Sequence, residues 1–435
     1  MRKLLQQGFR SQALRNAGWL LAEKGLLLGG GFIFTIVLTR YWRVEELGHF
    51  QYLLALVALL LPFSSLGLNS LVSHQLVTRP SNIDTIMGTA LILRLAGALV
   101  GGGIFFCLSF WLVPSPYQSL FWILLLGQIS QSLGVFDYYF EAQIHSKISA
   151  IVRSSVGLIF MLIKLVYVFD GGDLTGVVWL TAIEWILLGG LWLTVYSMYA
   201  KAVSRLSWCR LQAKIYLQRC GWLFLSSMAA IIYLKIDQVM LGMMASSESV
   251  AFYSLASRLS EVWYLIPGIL VASFYPGLIL ARQTGEQYQA KLQRLCDVLC
   301  WGAIVIAILV SLLAPYFVPL IFGEAYQAVT PILQIHIWAG VFIFMRALFS
   351  KWLLIEDIPH YSLLTHGCGA VINIILNALF IPLWGTLGAA WATMVSYAIA
   401  SYFALFLFPK TRGMAKLMSL AFIAPVRNFV YLARS

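Results

Sequence analysis

Charge is what this sequence has least of. Of its 435 residues 11% are charged and 61% hydrophobic. A soluble domain carries roughly 25% charged residues and at most about 50% apolar ones. The shortage excludes a soluble globular domain and points to a polytopic membrane protein. Acids are scarcer still, 17 against 29 Lys plus Arg, for a net charge of +12. A nucleic-acid partner does not follow from that balance, because the basic residues cluster at the ends of apolar stretches, as insertion topology requires. The six cysteines are scattered and form no CxxC pair. Cys296 and Cys300 share a helix face without nearby His, which reads as packing rather than a metal site. No phosphate-cradling Gly-rich loop follows a strand, and no His/Glu metal motif or GxSxG nucleophile occurs. The residues show no catalytic constellation, and no cofactor is called for.

Long apolar runs are what is present. Twelve can cross a bilayer, whose ~30 Å of hydrocarbon needs roughly 20 helical residues. They lie near 18–41, 49–71, 87–113, 119–140, 148–169, 175–199, 220–244, 250–280, 297–322, 329–354, 361–382 and 386–408. In lipid such runs must be helices, because their backbone groups find no water. With the N-terminus inside, the inner segments carry 19 Lys plus Arg and the outer loops two, Arg40 and Arg43. That asymmetry predicts cytoplasmic N- and C-termini. The basic start (Arg2, Lys3, Arg10, Arg15) precedes a run too long for a signal peptide and reads as an uncleaved first span.

The spans divide six and six. Gly221-Trp222-Leu223 repeats Gly18-Trp19-Leu20, and Glu248 falls where Glu45 does, at an offset of 203. Six is even, so both halves enter from one side and form a parallel repeat. The expected organisation is a bundle over 1–199, a basic cytoplasmic linker over 200–219, a second bundle over 220–408, and a basic tail over 409–435 with an interfacial helix. The outer loops are short, which leaves little room for an outward-facing active site.

Eight cations fall inside spans: Lys24, Arg94, Arg153, Lys164, Lys235, Arg258, Arg346 and Lys351. Five acids do: Glu23, Asp137, Glu184, Asp237 and Glu261. An ionisable group at that depth faces protein or a wet cavity, and the cation surplus favours an anionic ligand. Lys24, Gly31, Thr35 and Thr39 share a face of span one that reads as a cavity wall, and Gly29-Gly30-Gly31 lets the helix bend. Arg94 shares a face with Gly97 and Gly101. Arg153, Gly157, Phe160 and Lys164 form one stripe of span five. Lys24, Arg94 and Lys235 are expected to line a single aqueous lumen, and Arg153, Lys164 and Arg258 join them as candidate substrate ligands. Structural readings stand beside these. Arg153, Arg346 and Lys351 lie near span ends where they can snorkel, Arg258 and Glu261 are an i, i+3 pair, and Glu23 can neutralise Lys24. Asp237 and Glu184 are the candidates for ion coupling, since a buried acid can carry a proton. His366, Asn373 and Asn377 on one face of span eleven read as helix–helix glue, and His336 as core.

Certain residue strings carry a family resemblance. They are Asn16-Ala-Gly-Trp19 with Lys24, Arg40-Tyr-Trp-Arg-Val-Glu-Glu-Leu-Gly48 and Leu66-Gly67-Leu68. The strongest is Lys235-Ile-Asp237-Gln238-Val-Met-Leu-Gly242, followed by Phe252-Tyr253-Ser254 through Arg258 and Pro267. The pattern resembles the polysaccharide (O-antigen or capsule, Wzx-type) flippases of the MOP exporter superfamily, except at Trp42-Arg43, where a small Leu-Gly pair is usual. The resemblance implies an all-α, MATE-like fold of twelve helices around a central cavity. It also implies a non-enzyme that turns an undecaprenyl-pyrophosphate-linked oligosaccharide from inner to outer leaflet of a bacterial or archaeal cytoplasmic membrane. A proton or sodium ion, membrane lipid and a polysaccharide polymerase are the implied partners. An ion-coupled drug antiporter of the same fold is the competing reading, and a membrane glycosyltransferase or polymerase the third.

Overall fold

The computed structural model describes residues 2–143, 145–200 and 205–427, with side chains except at 2–17, 20, 21 and 80. Arg2, Lys3, Arg10 and Arg15, linker residues 201–204 and tail residues 428–435 therefore lie outside the described side chains. Among the described residues there are helices and no strands. Eleven helical segments among the described residues are long and apolar enough to span a membrane. Ten are single crossings: Ala22–Tyr41, Val44–Thr78, Ile83–Leu112, Ser115–Ala142, Ser146–Phe169, Leu174–Tyr199, Arg210–Met244, Ser247–Thr284, Tyr288–Phe322 and Val329–Ile355. The eleventh, His360–Leu407, has 48 residues. At 1.5 Å per residue it would run about 70 Å, more than twice the hydrocarbon thickness. It is broken at Gly385, whose φ of 55° and ψ of −128° leave the helical region. The break separates spans eleven and twelve, giving the twelve crossings expected from the sequence.

The chain divides into two units, residues 1–231 and 232–435, with the division inside span seven. In the first unit, span one runs along span five, and span four along span six. Its core gathers Leu68, Val72, Met87, Ala90, Phe136, Phe140, Trp192 and Tyr196. Span two is not one helix. It is interrupted at Leu66 and Gly67, with φ of 50° and 64°, and a Cβ on Gly67 would lie 2.8 Å from Leu223 Cβ. Span four passes through a 3-10 stretch, Gln131–Phe136. Such breaks expose carbonyls that lipid cannot satisfy.

Arg94 satisfies them. Its Nε donates to Ser64 O at 2.7 Å and its Nη2 to Gln131 O at 2.9 Å, so one guanidinium joins the break in span two to the break in span four. The second unit uses the same device. Arg346 Nη1 donates at 2.8 Å to Ala400 O, within the π-helical stretch Ile399–Phe403 of span twelve, and Nη2 donates to Thr365 Oγ1 at 3.1 Å. Arg346 is 5% exposed. The snorkelling expected of it does not occur, because the freed carbonyl draws the side chain inward. Cys296 and Cys300 pack in this unit's core with Leu292, Met345, Phe349 and Met418.

The linker is a strap on the first unit. Ser207 N donates to Asp84 O, Cys209 N to Thr89 Oγ1, and both Gln212 and Tyr216 side chains to Gln75 Oε1. From Arg210 it is already helical and continues into span seven. The tail forms a helix, Arg412–Phe422, whose Met414, Ala415, Met418 and Ala421 are buried. Trp301 Nε1 and Gln293 Nε2 of span nine donate to its Ala421 and Leu417 carbonyls. Arg412, Lys416 and Leu420 stay on its exposed side.

Candidate functional site

In the first unit, spans one and five meet as a ladder. At one end Arg153 binds Glu23, with Nε to Oε1 at 2.7 Å and Nη2 to Oε2 at 3.0 Å, while its Nη1 takes Asp137 of span four. One turn on, a Cβ on Gly157 would lie 2.5 Å from Leu27, and one on Gly30 would lie 2.6 Å from the Met161 sulfur. These glycines let the helices close up. At the other end Lys164 Nζ sits 5.9 Å from the centre of the Phe34 ring and 2.5 Å from Glu184 Oε2 of span six. Between the helices lies a cavity of about 300 Å³, with Leu26, Gly30, Gly31, Phe34, Lys164 and Glu184 among its walls.

This ladder changes several sequence expectations. Glu23 does not neutralise Lys24. Neighbours on a helix point to different faces, so Glu23 turns inward to Arg153 and Lys24 stays exposed. Gly31 lines the cavity as expected. Thr35 and Thr39 are buried instead, their hydroxyls donating to Gly31 O and Ile36 O of their own helix. Arg153 and Lys164 share a stripe, and both are paired with acids. The structure unites Lys164 and Glu184, which sequence reasoning placed in separate roles. Arg94 is 5% exposed and holds backbone carbonyls.

The second unit is organised on Asp237, which is 2% exposed. Asn373 and Asn377 donate their amides to its Oδ1 at 2.9 and 2.5 Å. Tyr253 and Thr393 hydroxyls lie 2.8 Å from its Oδ2 and 2.6 Å from each other. No cation stands within ion-pair distance of this carboxylate among the described residues. The side-chain Oδ1 atoms of Asn373 and Asn377 are buried without a donor among the described residues. With Ala389 O, 2.9 Å from Thr393 Oγ1, four oxygens share two hydroxyl protons beside two unsatisfied side-chain amide oxygens. A proton or a small hard cation would complete such a set, as oxygen ligands favour. Asn373 and Asn377 join helices as expected, bonding span eleven to span seven through Asp237. His366, on the same face, lies lower, with its ring 6.2 Å from Tyr233. His336 is core, against the Tyr253 ring at 5.8 Å.

Two cations remain. Lys24, exposed, and Lys235, half-buried, make no ion pair or hydrogen bond among the described residues. Glu141 acts on Lys24 only at longer range. Arg258 is half-buried on span eight with Glu261 acting on it electrostatically.

Comparisons with known proteins agree on a class. A family model described as "Polysaccharide biosynthesis protein" matches residues 13–278. The chain is 25% identical over 276 residues, 61% of its length, to the probable flippase AglR of Haloferax volcanii. The match spans about half of that curated relative, 55% of it. An inward-facing multidrug resistance MATE family transporter of the MOP superfamily superposes with a TM-score of 0.70 at 14% identity, covering 91% of this chain and 95% of that one. The lipid II flippase MurJ in an inward closed conformation gives 0.66 at 13% identity, covering 96% and 93%. The structural likenesses establish the fold that this chain shares with those two proteins.

Proposed function

Because the chain belongs to the polysaccharide biosynthesis protein family, we propose that it flips a polyprenyl-pyrophosphate-linked oligosaccharide across the cytoplasmic membrane, from inner to outer leaflet, by alternating access. The lipid is an undecaprenyl chain in this reading, both termini are cytoplasmic, and no bond is made or broken. The observation that carries it is the pair Lys24 and Lys235. Each is an in-span cation, Lys24 near the start of span one and Lys235 deeper in span seven, with no ion pair or hydrogen bond among the described residues. An unpaired cation costs about 2.5–3.5 kcal/mol at a span's centre and less toward its end, so the retention of Lys235 above all calls for an anion or water. Pyrophosphate meets that need through charge-assisted hydrogen bonds. Arg94 and Arg153 are less suited to first contact, being engaged with carbonyls and acids. Arg258 remains a candidate beside the two lysines.

The Asp237 cluster supports ion coupling. A carboxylate buried among neutral donors changes net charge when it takes a proton or sodium, and each state then favours a different packing of the spans around it. A drug antiporter of the same fold is the competing reading. Both are tested by reconstituting the protein in vesicles with a fluorescent short-chain polyprenyl-pyrophosphate sugar. Loss of its protection from an external quencher, dependent on protein, supports lipid flipping. Sugar lipid that stays protected while a cationic dye moves supports the antiporter. Asp237→Asn tests coupling in the same vesicles: dependence of flipping on an imposed pH or sodium gradient should vanish.

A further inference from the structure

The Lys164–Glu184 pair sits at the wall of a cavity otherwise made of Leu, Gly, Phe and Met. At about 300 Å³ this cavity is at the small end of ligand sites, large enough for a headgroup and the start of a chain. Both side chains are largely covered, Lys164 at 10% and Glu184 at 20% exposure. We infer that the cavity between spans one, five and six takes the phosphate end of the isoprenoid lipid on Lys164, and that Glu184 takes up a proton in the same step. This rests on the lipid-anion substrate proposed above and adds a site and a linkage to it.

The argument is one of charge conservation in a low dielectric. With the cavity unliganded, the ammonium and the carboxylate neutralise each other across 2.5 Å. A phosphate oxygen reaching Nζ becomes a second anion on one cation, and the like-charge contact with Glu184 is costly where water is scarce. Protonation of Glu184 removes it. The step balances as written: a carboxylate, a proton from water and a phosphate become a carboxylic acid beside an ammonium–phosphate pair. The acid's O–H can then donate to the phosphate, so nothing buried is left unpaired.

The surroundings leave Glu184 little other charge to respond to. The span-one wall, Leu26–Phe34, contains no ionisable residue, and neither does Gln118–Phe136 of span four, which packs on span six. Span five offers Lys164, with Tyr167 beyond it. Arg153, three turns away, is engaged with Glu23 and Asp137. The first helix of span two brings Glu45, Glu46, His49 and Tyr52, and the turn between spans five and six brings Asp170 and Asp173. None of these is hydrogen-bonded to Glu184 among the described residues.

The test is calorimetric titration of the purified protein with farnesyl phosphate, in two buffers of different ionisation heat at each of several pH values. Wild type should take up about one more proton per ligand than Glu184→Gln. Its affinity should fall by up to about tenfold for each unit that the pH rises where a full proton is taken up, while Glu184→Gln keeps binding with a flatter profile, linkage giving one decade per proton. Lys164→Met combined with Glu184→Gln removes both charges, leaves no buried ion, and should weaken binding at least tenfold. Equal proton uptake by wild type and Glu184→Gln overturns the linkage. Unchanged affinity in the double variant, or no binding by wild type, overturns the site. Flipping in vesicles is scored separately, so this inference can fail while the flippase reading stands.

Discussion

Arg153 grips Glu23 with two parallel bonds, Nε to Oε1 at 2.7 Å and Nη2 to Oε2 at 3.0 Å, and so fastens span five to span one. Its third nitrogen holds Asp137, so removing the guanidinium strands two buried carboxylates. Breaking a buried pair from one side costs about 3–5 kcal/mol. The lower end applies here, because Arg153 is 26% exposed. Arg153→Met should lower the melting temperature in detergent by several degrees. Adding Glu23→Gln and Asp137→Asn should recover most of the loss. An Arg153→Met melt equal to wild type contradicts the fastening role.

Arg94 and Lys24 should separate cleanly. Arg94 supplies two bonds to carbonyls at helix breaks, each worth about 1.5–3 kcal/mol for a charged donor. Arg94→Ala should therefore reduce the amount of folded protein and its melting temperature together. Arg94→Lys should fall between, since one ammonium cannot replace a planar fork reaching two carbonyls. Lys24→Ala should leave both quantities within error. Size-exclusion profiles and thermal melts of the three variants check the contrast.

Asp173 caps span six. Its carboxylate accepts from Gly176 N–H at 3.0 Å and from the Tyr167 hydroxyl at 2.8 Å, which together hold it below the usual carboxylate range, the backbone bond contributing most. A depressed carboxyl stabilises the fold fully above its unfolded pKa, near 3.9, and that contribution is lost as pH falls through the folded value. The site is exposed, so solvent weakens the effect. Asp173→Ala should cost about 1 kcal/mol, the usual value of an N-cap. The difference from wild type should shrink below pH 4 in melts followed by tryptophan fluorescence.

Span number and class were legible because hydrophobic length and Lys/Arg placement are local properties of the chain. The charged pairs were not. Arg153 finds Glu23 130 positions away and Lys164 finds Glu184 20 positions away. Helical spacing orders residues on one helix and says nothing of which helix lies opposite. The sequence sets eight cations against five acids within spans without saying which meet: Glu23 and Asp137 both go to Arg153, and Glu184 goes to Lys164. A usable signal did exist for Asp237: the asparagines at 373 and 377 share a face with nothing apolar to explain them. The partners of Arg94 and Arg346 are hidden from the sequence for a different reason. Their partners are carbonyls freed by a left-handed Leu66, a 3-10 stretch and a π-helical stretch. Gly67 hinted at the first of these breaks; the residues of the other two carry no such mark.

The central claim is that Lys24 and Lys235 carry the lipid anion across. It is tested most directly by the flipping rate of a polyprenyl-pyrophosphate sugar in vesicles holding equal amounts of folded wild type, Lys24→Ala, Lys235→Ala and Lys24→Glu. Each Ala variant should flip at least tenfold more slowly, a loss of about 1.4 kcal/mol of interaction in transit. Lys24→Glu should be inactive, because the field at the phosphate reverses. Flipping at the wild-type rate by all three variants would contradict the claim.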